Sequence, residues 1–442
     1  MNKSRYRLPK GFPFVKSIFN AGNYLKDPVL FITNRMEEFK GTYCPSLGPG
    51  LKAILTQDAD FISYIIKENH RNYKKSDYFG KSSIEFFGNG LLFSNGEYWL
   101  KQRRLIQPAF HKEKLQGLFG LIIKTIDSFL EAMPTGDSID MYPLMHKLAF
   151  NIVINSLFDI NLSEEKRKDI SAIFTEIQNF FVKDASVPMR RILYPLTREK
   201  SKYLNKAAHL RQLFATIVKE RRETGESKND LLDMLLNSTH EDTGECMTDN
   251  QIIDEAVILI FAGHETTSNA ISWLLYSVAN NNGVQEKIKN SIINSSVKDS
   301  LHNEYIKSCI NETLRLYPPA WIVERAAVID DGFGQYTYPK EMLIISFIYG
   351  LHHDKKFWKN AEDFYPERFI EQPDLIKSKY FYPFGAGPRM CIGNNFAMAE
   401  MSFFVHQFFK KFTLTATGEV PKKIALLTLR PDRVKLRIRA IE

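Results

Sequence analysis

The chain has 442 residues and carries 59 lysines and arginines against 51 aspartates and glutamates, a net charge of +8. With 44% hydrophobic and 13% aromatic residues and no low-complexity tract, it can bury a large core, which excludes disordered and collagen-like chains. The four cysteines (Cys44, Cys246, Cys309, Cys391) are widely scattered with no C-x-x-C, which argues against zinc ribbons and a disulfide framework and fits a reducing cytoplasm.

Met1 to Lys10 holds neither the ~20-residue apolar stretch of a membrane span nor a signal-peptide core, so no membrane span is expected. Basic residues are dispersed and accompany no binding motif, so nucleic acid is not the expected partner. An acidic redox protein suits the positive balance better. A short alternating run at Leu51–Leu55 reads as a strand. Helical patterns dominate from about Glu97 to Asn282, opening with Trp99 and Arg103 one turn apart. Thr248-Asp-Asn-Gln251 reads as a capping box, followed by the apolar run Ala256–Ala262 and then Gly263-His264-Glu265-Thr266-Thr267. Glycine inside a helix costs about 1 kcal/mol against alanine. The hydroxyls that follow compete for backbone carbonyls, so the helix is expected to open here. Glu312 and Arg315, three apart on an amphipathic segment stopped by Pro318-Pro319, can pair on one face. Alternating runs at Ala326–Ile329 and Leu343–Ile348 predict strands, Phe364-Tyr-Pro-Glu-Arg368-Phe adds an arginine, and Ala397–Phe412 is helical before a last strand at Val434–Ile438. The fold class is mainly α with a small β region.

The most specific segment is Phe384-Gly-Ala-Gly-Pro-Arg389-Met-Cys391-Ile-Gly393. Gly385, Gly387 and Gly393 permit positive φ and close passage past a flat cofactor. A cysteine so hinged, just before a helix N-terminus, has its thiol pKa lowered and can bind a metal as thiolate. The spacing F-x-x-G-x-R-x-C-x-G resembles the haem-ligand loop of the cytochrome P-450 family. A-G-x-E-T-T at 262–267 resembles that family's oxygen-activation segment, and the E-x-x-R and P-E-R-F segments stand between the two in the family's order. The resemblance covers essentially the whole chain, 1–442, as one catalytic domain folded as a triangular helical prism around a buried haem, with no fused reductase.

The resemblance implies a monooxygenase that inserts one atom of dioxygen into a C–H bond, with haem b as cofactor and Cys391 as its metal ligand. Thr266 and Glu265 are then the proton-delivering catalytic pair, while Ala262 and Gly263 line the space over the iron. Trp99, Arg103, Arg325 and Arg389 become haem contacts, the arginines serving the propionates, and Phe384 packs beside the sulfur with Gly393 close by. Glu312, Arg315 and Arg368 form a buried ionic brace. His264 is assigned no role. The implied partners are a ferredoxin with its reductase, or a flavodoxin-type donor, and a small organic substrate; a monomer is expected. The resemblance implies that the loop Tyr78–Phe87 overhangs the haem and that Pro188–Pro195 forms part of the access lid. Hydroxylation or oxidative O-demethylation of a methyl ether such as a methylated sugar fits. The central helix resembles the fatty-acid-hydroxylating branch, but Lys52 lacks the tyrosine partner of a carboxylate anchor. A peroxygenase would not need Glu265-Thr266, nor would a haem sensor.

Overall fold

The computed structural model describes residues 5–48, 50–158, 162–186, 194–240 and 243–441. Its contacts gather into two compact units. One comprises Met1–Ser76, Ser308–Cys391 and Pro421–Asp432; the other comprises Asp77–Lys307, Ile392–Val420 and Arg433–Glu442.

The first unit is built on a six-stranded sheet. Leu51–Thr56 runs parallel to Leu343–Ser346, which pairs antiparallel with Val323–Ala327, and that strand in turn carries the short strand Tyr73–Lys74. Ala53, Ile54 and Leu55 are all buried, the pattern of a strand covered on both faces rather than the alternation expected from Leu51 to Leu55. Two expected strands shift. The run from Leu343 ends at Ser346 and Ile348–His352 is a helical turn, because an apolar run alone cannot tell strand from buried helix. The strand predicted at Ala326–Ile329 is Val323–Ala327, with Val328 and Ile329 exposed beyond its end. Helices Phe14–Lys26 and Pro28–Glu38 open the unit, the second entered through Asp27, whose carboxylate accepts the Leu30 N–H at 2.9 Å.

The second unit is helical. Its central helix, Asp249–Ala279, begins with the predicted box: Thr248 Oγ1 accepts the Gln251 N–H, and Gln251 Oε1 accepts the Thr248 N–H at 2.8 Å. It is buried along most of its length and packs extensively on Met141–Phe158, so neighbouring helices rather than lipid satisfy its apolar surface. Helix Asn394–Lys411 takes the place expected of Ala397–Phe412, and Phe412 instead starts a strand paired with Lys435–Ala440. Among the described residues no helix is long and apolar enough to cross a membrane.

Candidate functional site

In the first unit the cysteine loop is folded by its own backbone. The Cys391 N–H donates to the Phe384 carbonyl at 2.9 Å, Met390 N–H to Gly387 at 3.0 Å, and Gly385 N–H to Tyr382 at 3.1 Å. Gly387 sits at φ +66°, where a Cβ would meet the Ile66 carbonyl oxygen at 2.0 Å, so both conformation and closeness demand glycine. Gly385 is also left-handed, at φ +69°, with open space where its Cβ would stand. Gly393 differs from the expectation: its φ is −87°, and as N-cap of Asn394–Lys411 it needs no positive φ. A Cβ there would meet nothing within 4 Å among the described residues, so neither dihedral freedom nor close packing explains the glycine at 393. The Cys391 thiol is exposed, whereas Cys44 and Cys309 are buried and burial raises the Cys44 thiol pKa.

Beside this loop, within the same unit, stands a cationic group that the sequence disclosed only in part. Tyr73–Lys74 pairs with Val323–Ala327 in the register Lys74↔Ala326, and Lys75, just past the end of that strand, lies within electrostatic reach of Arg325. Glu324 accepts the Ser76 N–H at 3.0 Å, and Arg325 Nη1 donates to the Glu324 carbonyl oxygen at 2.7 Å. Burial, then the charge of Arg325, drives the Lys75 ammonium down to about 8, with Glu324 opposing and Arg389 adding to the repulsion. Burial also lowers Arg325 and raises Glu324 despite the cations around it. Lys75, Arg325 and Arg389 thus stand together around Glu324, a cationic grouping that suits a ligand edge bearing two carboxylates. Together with the exposed cysteine and the glycine hinge at Gly385 and Gly387, this donor set fits haem. Lys75 escaped the sequence reading because only strand register brings it to Arg325.

Behind the loop lies the expected ionic brace. Arg315 meets Glu312 through Nε and Nη2, both at 2.8 Å, and Arg368 Nε meets the same carboxylate at 3.0 Å. Arg315 also donates to the carbonyls of His352, Ala361 and Asp363, and Arg368 to those of Lys359 and Asn360. The brace reaches the cysteine loop through His352. Burial and then Arg315 hold that imidazole down to about 3, so it is neutral, and its Nε2 accepts the Tyr382 N–H at 2.9 Å.

In the second unit, Ala262, Gly263, Glu265 and Thr266 lie on the central helix, which runs unbroken through them. The expected opening is absent: the Thr266 hydroxyl donates to the Ala262 carbonyl at 2.8 Å without interrupting the helix. Gly263 has a packing reason, since a Cβ would come 3.0 Å from Val153 Cγ2. Glu265 is 4% exposed and accepts a hydrogen bond from Gln178 Nε2 of helix Glu164–Ser186, a partner 87 positions away that no sequence spacing reveals. His264 is a core residue. Its Nδ1 bonds the Ile260 carbonyl at 2.8 Å, its ring meets His146 edge-on at 4.7 Å, and burial pushes it down to about 3.

Phe87 packs on Phe261 at 4.3 Å, on Phe93 at 5.8 Å and on Phe181 at 6.1 Å, forming an aromatic group around Phe261, two positions before Gly263. The segment after Phe87 is tied to the central helix: Asn89 N–H donates to Asp254 at 2.9 Å and Leu91 N–H to Glu255 at 2.8 Å. Burial raises the Glu255 carboxyl to about 8, so it is largely protonated at neutral pH. Trp99 and Arg103 lie one turn apart on helix Gly96–Ile106, both half-buried, with Arg103 Nε donating to Gln107 Oε1 at 3.0 Å. Glu85 is engaged by Lys200 at 2.5 Å, both side chains partly in solvent, which makes it a surface pair rather than a substrate contact. Of the segment Pro188–Pro195, residues 188–193 lie outside the described residues.

A mainly helical chain with a glycine-hinged, exposed cysteine beside a cationic group has the parts of a haem-thiolate protein. The family pattern for Cytochrome P450 matches residues 7–438, and the chain belongs to that family. It is a cytochrome P450 monooxygenase, with haem held by a cysteine thiolate as cofactor and dioxygen as co-substrate. The chain is 27% identical to a cyclooctat-9-en-7-ol 5-monooxygenase of Streptomyces melanosporofaciens over 366 residues, covering 81% of this chain and 79% of the relative. It is 32% identical to a cytokinin hydroxylase of Arabidopsis thaliana over 374 residues, covering 78% and 71%. Cytochrome P450 4F1 of Rattus norvegicus is 29% identical over 426 residues, covering 87% and 80%. The fold matches the crystal structure of the cytochrome P450DA heme domain with a TM-score of 0.89 at 22% identity, over 99% of this chain and 98% of that one.

Proposed function

We propose that this chain hydroxylates a C–H bond of a small, largely apolar organic molecule, working as a cytoplasmic monomer fed by a separate ferredoxin and ferredoxin reductase, or by a flavodoxin-type donor. The observation that carries the substrate class is the aromatic group of Phe87, Phe93, Phe181 and Phe261 leading into the Ala262–Thr267 segment. Two relatives named for hydroxylation or monooxygenation of small organic molecules favour the same reaction.

When bound, the haem supplies dioxygen activation and oxygen insertion. Cys391 is its proposed metal ligand, with Phe384 packed beside the sulfur. Arg325, Arg389 and Arg103, joined by Trp99 and the newly found Lys75, are the proposed propionate partners. Ala262, Gly263 and Gly393 leave room for the ring and the small ligand. Glu265, desolvated and held by Gln178, is the proposed proton source. Thr266 passes the proton by exchanging its bond to the Ala262 carbonyl for a new acceptor. Glu312, Arg315 and Arg368 brace the loop through His352 and Tyr382.

Incubation with a surrogate ferredoxin system, NADPH and a panel of apolar candidates tests this reading. A product heavier by one oxygen atom, lost in Cys391→Ala, supports it. Formaldehyde release in place of that product moves the reaction to O-demethylation. Turnover by hydrogen peroxide alone, equal to the electron-fed rate, would make the chain a peroxygenase, and no turnover under any supply would leave a haem sensor.

A further inference from the structure

Helix Asp77–Phe87, which the resemblance implied as a loop, hands the chain to a short segment, Gly88–Leu91, that lies against the central helix. Two successive carboxylates of that helix hold the segment by its backbone. Asp254 accepts the Asn89 N–H at 2.9 Å, and the two oxygens of Glu255 accept the Leu91 N–H at 2.8 and 3.1 Å. The approach is close: a Cβ at Gly90 would stand 2.8 Å from Ile258 Cγ1 and 3.1 Å from both the Asp254 carbonyl oxygen and Glu255 Oε2. Only glycine lets the segment come so near. Arg211 of helix Glu199–Thr224 steadies the first carboxylate, its Nη1 2.5 Å from Asp254 Oδ1.

These bonds set the position of a ring. Phe87 immediately precedes the segment and packs on Phe261, six positions beyond Glu255 on the same helix. Phe87 and Glu255 are each 1% exposed, so ring and carboxyl are both sealed from water. A carboxyl so placed is costly as an anion: burial raises it to about 8, with Asp254 adding to the rise and the Leu91 N–H opposing it. Around it stand Asp254 on its own helix, Tyr98 of helix Gly96–Ile106 and, through Asp254, Arg211. Burial, with Asp254 and Glu255 adding, raises the Tyr98 phenol in turn.

We propose that Asp254 and Glu255 are positioning residues that clamp Gly88–Leu91 to the central helix, hold Phe87 against Phe261, and release both to admit substrate. The inference rests on the reading that the Phe87–Phe261 group borders the substrate. The clamp depends on pH with a definite sign. Closed, Glu255 keeps its proton up to about pH 8. Released into water, it would lose that proton near the ordinary glutamate value of about 4.3. The closed state therefore binds more protons than the open one across that interval. It is strongest in acid, weakens as pH rises toward 8, and levels off above.

Hydrogen–deuterium exchange of the purified full-length holoprotein, read by mass spectrometry on peptides covering 88–91, tests the clamp. Wild type is compared with Glu255→Gln, which keeps an acceptor oxygen but cannot ionise, so their ratio at each pH removes the intrinsic pH dependence of exchange. That ratio is expected to rise about tenfold from pH 7 to pH 9. Gly90→Ala wedges the segment off the helix without changing a titratable group, and should exchange faster than wild type at both pH values. The ratio of wild type to Gly90→Ala, rising toward one with pH, repeats the test should Glu255→Gln fold poorly. Stopped-flow binding of 4-phenylimidazole to the ferric haem reads admission: its rate should rise with pH in wild type, stay flat in Glu255→Gln and be fastest in Gly90→Ala. Exchange ratios that do not change with pH overturn the proposal, and so does ligand entry that is the same in all three proteins. Neither result touches the hydroxylation reading, which is judged by oxygen in the product.

Discussion

Two charged clusters in the same unit are built in opposite ways. Around Glu312 the charges are closed: all five N–H groups of Arg315 are placed, on Glu312 and on the carbonyls of His352, Ala361 and Asp363. Arg315 and Glu312 are fully buried, and the guanidinium lies over the Trp358 ring, 5.2 Å from its centre. Around Glu324 like charges are gathered: Lys75, Arg325 and Arg389 act on one another and on that carboxylate, and burial holds Lys75, Arg325 and Glu324 each toward its neutral form. A closed cluster stabilises the chain on its own. Gathered like charges repel, and a bound anion would relieve that repulsion, which is what separates a scaffold from a binding site.

Breaking the closed cluster should have the largest effect. Glu312→Gln leaves two buried guanidinium groups without their carboxylate, and a loss of about 3–5 kcal/mol is expected. Denaturant unfolding should show it, and the variant should accumulate poorly with or without haem. Arg389→Ala should do the reverse: near-normal stability of the haem-free chain, but haem loss to an acceptor globin faster by about tenfold to a hundredfold. Equal destabilisation of the haem-free chain by both variants would erase the distinction.

Lys75→Met sharpens it through pH. A lysine lowered to about 8 in the folded chain keeps its proton to higher pH when unfolded. The folded haem-free chain therefore carries a penalty at neutral pH that is relieved as pH rises from about 8 toward the ordinary lysine value near 10.4. Haem-free Lys75→Met should be the more stable form at pH 7, with the advantage shrinking above pH 8, and should still hold haem less tightly. A smaller effect is expected at Asp331, a second closed hub. Its carboxylate accepts from Tyr73 at 2.6 Å, from Asn69 and Asn72 at 2.9 Å and from Tyr64 at 3.1 Å. Burial pushes this carboxyl up, but the donors outweigh it and leave it below its ordinary value. Its contribution is present above the ordinary aspartate pKa and is lost as pH falls through the lowered folded one. Asp331→Asn should cost about 1–3 kcal/mol at neutral pH and less in acid, by thermal melts across pH.

Local chemistry was legible in the sequence. The capping box at Thr248 and Gln251, the glycine hinge before Cys391 and the Glu312–Arg315 pair depend on residues within a few positions of one another. What depends on distant pairing was not. Lys75 reaches Arg325 only through strand register, Gln178 reaches Glu265 across 87 positions, and His352 links brace to loop by a backbone bond. The helix at Thr266 stays closed where an opening was expected, because a hydroxyl can bond a carbonyl without breaking the helix. Gly263 and Gly393 were legible as glycines but not for the reasons expected: a neighbouring valine explains the first, while the second has no positive φ and no close neighbour among the described residues.

The central claim is that the exposed Cys391 thiolate binds haem iron beside a cationic group. The carbon monoxide difference spectrum of the dithionite-reduced protein tests it most directly. A strongly red-shifted Soret band, present in the wild type and absent in Cys391→Ala, is the predicted result. A band at the position typical of histidine ligation in freshly prepared protein, or no haem uptake on reconstitution, would contradict it.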